Sequence, residues 1–238
     1  MRFHRLLGIL GLGLTTAVCH AFTLIPMSTT LDPKGMGTAQ NFRLDNTSSN
    51  RVAFQISVLT RDMDENGNET NQSAAALFTV FPPQGAIAPG KSQNVRLVWK
   101  GPANPDRELA FRLVAEELPV NFTPEAGKAQ IKVLLRYMAA VYVAPRNFKS
   151  SLQVGGCVRT ETNTYVLTVT NSGTAHRVLR EPKLSLTDPQ GQRRDVPSEA
   201  LQPVASENVL AGRTRRFVLT LPGGFTEASY QAQLMADE

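Results

Sequence analysis

The sequence predicts an all-β protein of two sandwich domains, and three observations predict it. Short runs of alternating apolar residues recur at intervals of about ten residues, with no helix-period segment established between them. Turn signals separate the runs: Asn66-Gly67, Pro82-Pro83 and Pro89-Gly90. The pattern stops at Ala144-Pro145-Arg146-Asn147 and then begins again.

Taken in order, residues 1–21 have the layout of a secretory signal peptide. MRFHR is basic, LLGILGLGLTTAV is an apolar core too short to span a bilayer, and CHA precedes a cut after Ala21. Val18 before Cys19 is bulkier than a lipidation site prefers, which favours simple cleavage. Cleavage removes Arg2 and Arg5 and no acid, so the formal charge falls from +5 to +3. The remaining basic residues are dispersed, without a Lys/Arg tract interleaved with aromatics, which argues against nucleic-acid binding. Of the two cysteines Cys19 leaves with the signal, so Cys157 has no partner for an intrachain disulfide. The fold of residues 22–238 then rests on its apolar cores.

The first domain is expected over residues 22–143. Phe42 and Leu44 begin one strand, and Val52, Phe54, Ile56 and Val58 face inward on the next. A further strand before the Pro-Pro break is followed by one carrying Val95, Leu97 and Trp99. PDRELAFRLVAEELP stays open on periodicity. Leu109, Leu113 and Leu118 fit one side of a helix, while Phe111, Leu113 and Ala115 fit the inner face of a strand. Residues 144–148 read as a linker, since Pro145 holds its predecessor extended. Residues 149–238 repeat the strand-and-turn pattern through SLQVGGCVRT, TYVLTVTNSGTAHRV, RRFVLTLPGG and SYQAQLMA.

Candidate chemistry is sparse. DMDENGNETNQS, starting at Asp62, opens like a calcium loop, but the loop's twelfth position needs a bidentate Glu and holds Ser73, so a hairpin turn is the preferred reading. His176 is the single histidine outside the signal and reads as a solvated turn residue; Cys157 reads as a small packed side chain. Glu116-Glu117 reads as a charged strand end. Sequons at Asn46, Asn68, Asn71 and Asn121 matter only in a eukaryotic secreted protein. No nucleophile elbow, zincin motif or zinc-type spacing is present, so no enzyme, metal or cofactor is expected.

The apolar stretch Ile131–Val143 carries two charges, Lys132 and Arg136. As a strand, one face presents Ile131, Val133, Leu135, Tyr137, Ala139, Val141 and Val143, and the other Lys132, Leu134, Arg136, Met138, Ala140 and Tyr142. It is either a central strand covered on both faces or an edge strand built to pair with another chain. Monomers normally suppress edges of the second kind.

Four segments resemble the PapD-like periplasmic chaperones of fimbrial assembly: LFTVFPPQGAIAPGKSQNVRLVW, ELAFRLVAEELP, QIKVLLRYMAAVYVAP and TYVLTVTNSGTAHRV. AFRL resembles the divergent, archaic or alternative, branch of that family. The resemblance implies two Ig-like domains in an L-shaped arrangement and makes the ELAFRLVAEELP segment a strand. It implies a periplasmic chaperone that lends a donor strand to an incomplete pilus subunit and delivers it to an outer-membrane usher, without a cofactor or membrane insertion after signal cleavage. A self-capping dimer of the idle protein is also open.

By register from Pro145, the resemblance makes Ile131, Val133 and Leu135 the side chains that fill the subunit groove. Burying three such side chains contributes roughly 5–9 kcal/mol before ordering costs. The family's carboxylate anchor positions fall here on Ser28 and Ala140, which carry no charge, and Arg112 and Arg136 are the candidate replacements; the alternative for either is a strand-end cation paired with Glu116 or Glu117. Ala144 stands where the family has an interdomain Arg, so Glu108 and Arg146 are the candidate interdomain contacts. The alternative is a secreted two-domain adhesin or carbohydrate-binding protein, which calls for exposed loop aromatics, whereas Trp99 lies in a strand pattern.

Overall fold

A computed structural model describes residues 22–119 and 133–237 of the chain. The proposed signal peptide, Ile131, Lys132 and Asn121 lie outside the described residues.

The first domain holds β1 (Phe22–Ile25), β2 (Ser28–Leu31), β3 (Ala39–Asn46), β4 (Val52–Thr60), β5 (Asp62–Met63) and β6 (Glu69–Thr70). It continues through β7 (Phe78–Phe81), β8 (Gln84–Ile87), β9 (Ser92–Trp99), β10 (Leu109–Leu118) and β11 (Arg136–Val143). One sheet runs β1-β3-β9-β7 and the other β2-β11-β10-β4-β8. The chain therefore changes sheets between β1 and β2. Alternating residues from both sheets fill one core, among them Phe42, Leu44, Phe54, Val95, Leu97, Phe111, Leu113 and Val141. Phe78, Trp99 and Phe111 pack edge-on or tilted within it.

The helix alternative for ELAFRLVAEELP is not what forms. β10 pairs antiparallel with β4 on one side and β11 on the other, which buries Phe111, Leu113 and Ala115. Tertiary pairing on both edges decides what periodicity left open.

The second domain holds β12 (Leu152–Glu161), β13 (Thr164–Asn171), β14 (Arg177–Val178), β15 (Arg180–Thr187), β16 (Arg193–Asp195), β17 (Asn208–Val209), β18 (Thr214–Thr220) and β19 (Ser229–Asp237). Two halves, β16-β15-β19 and β12-β13-β18, join through Cys157–Tyr230 and Val158–Ser229. A register shift between Val154 and Cys157 accommodates Gly155 and Gly156 at this junction. Both halves contribute to a second core that includes Tyr165, Leu167, Leu184, Leu186, Phe217 and Leu219. Cys157 is buried there as an unpaired thiol.

β11 settles the two readings of the apolar stretch by halves. From Ala139 to Val143 every residue is buried, because β10 and β2 flank the strand and the second domain covers Ala140 and Tyr142. The half nearer Arg136 has a different surround.

Candidate functional site

β11 is paired along its length with β10 on one side. On the other, β2 runs parallel to it and pairs with Ala140–Val143, preceded by a hydrogen bond from the Ala140 amide to the Met27 carbonyl. Among the described residues, Arg136–Ala139 has no strand on that side. The edge is thus half covered and half free. Its inward face grades from core to solvent: Val143, Val141 and Ala139 are fully buried, Tyr137 and Leu135 half-buried against the core, and Val133 65% exposed. Leu134, Ile25 and Met27 add exposed apolar surface beside it. An unpaired backbone row next to such surface is a template for another chain's strand. Of the groove residues named from sequence, Val133 and Leu135 lie on this gradient.

The sheet's outer face carries charge in an otherwise apolar setting. Arg112 grips Glu69 with two hydrogen bonds, Nη2 to Oε1 and Nε to Oε2, the latter at 3.0 Å. Arg61 donates to the same Glu69 Oε1 at 2.7 Å and to the Tyr142 hydroxyl at 2.8 Å. The side chains are 18% (Arg112), 7% (Arg61) and 20% (Glu69) exposed, so these ion pairs lie largely out of water. Burial works against the charge of Glu69, but hydrogen bonding from Arg112 and the charges of Arg61 and Arg112 outweigh it and hold its carboxyl below the ordinary glutamate range. Burial likewise raises the Tyr142 hydroxyl above its usual value.

Register corrects the arginine fork expected from sequence. Arg112 lies opposite Ala140, whereas Arg136 lies opposite Glu116, so the two arginines sit on one face but four positions apart along the strands. Arg136 pairs with Glu116 at 2.8 Å on the exposed rim. The cation beside Arg112 is Arg61. Ser28 and Ala140 are themselves register partners.

Tyr142 leads into the domain boundary. Its ring stacks on His176 and its hydroxyl accepts a hydrogen bond from Asn208 at 2.7 Å. Glu108 is buried there and accepts from the His176 amide at 2.9 Å and from its Nδ1 at 2.7 Å. His176 is therefore a packed interdomain residue, not the solvated turn residue its sequence context suggested. Glu108 crosses the boundary to His176 rather than to Arg146. Arg146, 92% exposed, approaches Asp32 at 3.8 Å, a pair of little energetic weight.

The β5–β6 hairpin completes the boundary. Asp64 accepts from the Asn66 and Asn68 amides and the Asn68 side chain, so its oxygens close a turn. The hairpin lies against the second domain: Asp62 pairs with Arg213 at 2.8 Å, and the Glu65 carbonyl accepts from the Arg216 amide. Arg215, almost fully buried, reaches the Met63 sulfur and the Asn208 carbonyl. Sequence reading singled out neither Arg61, Glu69, Asn208 nor Arg215 as site residues, and placed Tyr142 only on a strand face.

A family model described as the pili and flagellar-assembly chaperone, PapD N-terminal domain, matches residues 24–149. No curated protein matches the chain. Among solved structures, the fold is similar to a chain of the chaperone–tip adhesion subunit complex CsuC–CsuE from archaic Csu pili of Acinetobacter baumannii. The identity is 18% and the TM-score 0.55, covering 83% of this chain and 89% of that one. The E. coli chaperone DraB matches at 16% identity and TM-score 0.54, over 91% of this chain and 98% of its own. A chain of the Salmonella enterica SafA pilin–SafB chaperone complex matches at 18% and 0.54, over 86% and 85%. At these identities the likeness is one of fold.

Proposed function

This chain belongs to the family of pili and flagellar-assembly chaperones that carry the PapD N-terminal domain, and on that premise we propose that it acts in the periplasm by lending the free edge of β11 to an incomplete pilus subunit and handing that subunit to an outer-membrane usher. Its role as a chaperone in pilus assembly follows from the family. The observation that carries the mechanism is the half-covered strand: among the described residues Arg136–Ala139 has no strand on the side away from β10, and the Leu135 and Val133 side chains lie next to it on a face continuous with the core.

Chemically, the edge supplies main-chain hydrogen bonds to an added strand, and alternate side chains enter the partner's groove. Val133 and Leu135 are the described side chains in this role. Arg136, exposed at the rim, exchanges its Glu116 partner for a polar or acidic group of the subunit at little cost. The mechanism needs no nucleotide, because a subunit's later donor strand replaces the chaperone's by the same type of pairing.

Co-expression with a pilus subunit from the same genome tests this. A one-to-one complex is expected from the native chain, and Val133→Asp and Leu135→Asp should each abolish it; the melting curve of the free protein should stay close to the original for exposed Val133 and fall for Leu135, which packs against the core. Retention of the complex by both variants overturns the assignment.

A further inference from the structure

We propose that the cleft between the start of β10 and the turn joining β17 to β18 binds a free medium-chain fatty acid, with Arg107 as the residue that takes its carboxylate. The site is separate from the donor edge. β10 lies between β4 and β11, and the cleft opens on the β4 side, with no residue of β11 among those that line it.

Size and walls suit a small amphiphile. The cleft has a volume of about 510 Å³, within the range of roughly 300–1,000 Å³ that small-molecule sites occupy. Its apolar lining comes from both domains: Leu77 and Leu109, half-buried against the first core, and the largely buried Leu210 and Ala211 of the second domain. These walls are fixed before any ligand arrives. The Glu108 amide donates to the Thr174 carbonyl at 2.8 Å, the Arg61 amide donates to the Ala110 carbonyl at 2.9 Å, and Asp62 pairs with Arg213 at 2.8 Å. An ordered cleft loses little freedom on binding.

Charge selects the head group. Among the described residues, the ionisable side chains of the lining are Arg61, Asp62, Arg107, Glu108 and Arg213. Four of them are committed: Arg61 to Glu69, Glu108 to His176, and Asp62 and Arg213 to each other. Arg107 has neither a hydrogen bond nor an ion pair among the described residues. Its guanidinium lies against Gly212, whose φ is +71° and where any side chain would collide with it. The bare turn thus lets a cation rest along the second domain beside the leucines. One uncommitted guanidinium calls for one negative charge, and its planar fork matches a carboxylate. The leucine walls call for an aliphatic tail, which they remove from water.

The test titrates the full secreted chain with octanoate, 1-octanol and acetate, each read by calorimetry and by the methyl resonances of Leu77, Leu109 and Leu210. Octanoate should bind and shift these methyls, and octanol and acetate should each bind at least tenfold more weakly. Arg107→Gln, a change at an exposed position, should weaken octanoate roughly tenfold, the scale of a charged hydrogen bond, and leave octanol unchanged. Equal binding of octanoate and octanol overturns the role of Arg107, and equal binding of octanoate and acetate overturns that of the leucines. If octanoate leaves the three methyls in place, the proposal is overturned whatever the heat of titration. The same holds if the methyls shift on raising the protein concentration alone, since a second copy of the chain is then the occupant. None of these outcomes bears on subunit capture by β11.

Discussion

Tyr142 and His176 lie ring on ring across the domain boundary, their centroids 3.7 Å apart and their planes within 9° of parallel. Each belongs to a different domain, and each has a second tie: Tyr142 to Arg61 and Asn208, His176 to the buried Glu108. This cluster joins the domains through Glu108 and His176, where the sequence pointed to Glu108 and Arg146.

Replacing His176 with alanine removes the stacked ring and one of the two donors to a buried carboxylate. The expected cost is roughly 1–3 kcal/mol, set mainly by the unsatisfied carboxylate. Thermal unfolding reads the loss, and small-angle scattering should show a broader distribution of interdomain distances. Arg146→Ala should change neither measurement, because its pair with Asp32 is long and exposed.

The hairpin supplies a second test at Gly67. Its φ of +92° disfavours a side chain, and a Cβ there would lie 2.4 Å from Arg215 Nη2. Gly90 has a comparable φ of +65° with open space around it. Both Gly→Ala changes should destabilise by about 1 kcal/mol from backbone strain. Gly67→Ala should cost more, and the excess over Gly90→Ala reports the contact with the second domain. Equal losses in chemical denaturation would show that Arg215 yields freely.

Most of the fold was legible because it depends on local rules. Alternation located the inward faces of β4, β9 and β10, Asn66-Gly67 marked its hairpin, and Pro145 marked the end of β11. The proposed donor face is legible in the same terms, since Leu135 and Val133 follow the phase of β11. The arginine–glutamate cluster was not. Arg112 and Glu69 meet through pairing of a two-residue hairpin against a sheet face, and Arg61 reaches Tyr142 across 81 positions of sequence. No spacing encodes such contacts. Arg112 and Arg136 share a sheet face yet do not meet, because four residues along a strand span roughly 13 Å.

Acid should expose the Glu69 cluster. Its folded carboxyl is held below the unfolded value of about 4.3, so the stabilisation is fully present above that pH and is lost as pH falls through the lower folded value. The stability difference between the native chain and Glu69→Gln should therefore be constant near neutrality and shrink below about pH 4.3. A difference that grows with acid would contradict this origin.

Cys157 should be inert until the second domain opens. Burial pushes its thiol up to about 12, and the side chain is inaccessible. Alkylation at pH 8 should be on the order of 10³-fold slower in the native protein than in denaturant, since the thiolate is the reacting form. Rapid native labelling would place the thiol outside the core.

A single eight-residue strand, β11, runs from the apolar surface offered to a partner to the stacked rings between the domains. Hydrogen bonding to β10 along its length makes it stiff, so a pull on its Arg136 end is transmitted to Tyr142 rather than absorbed between them. The strand therefore acts as a tie rod that joins the half-covered edge and the domain joint in one unbroken stretch of backbone.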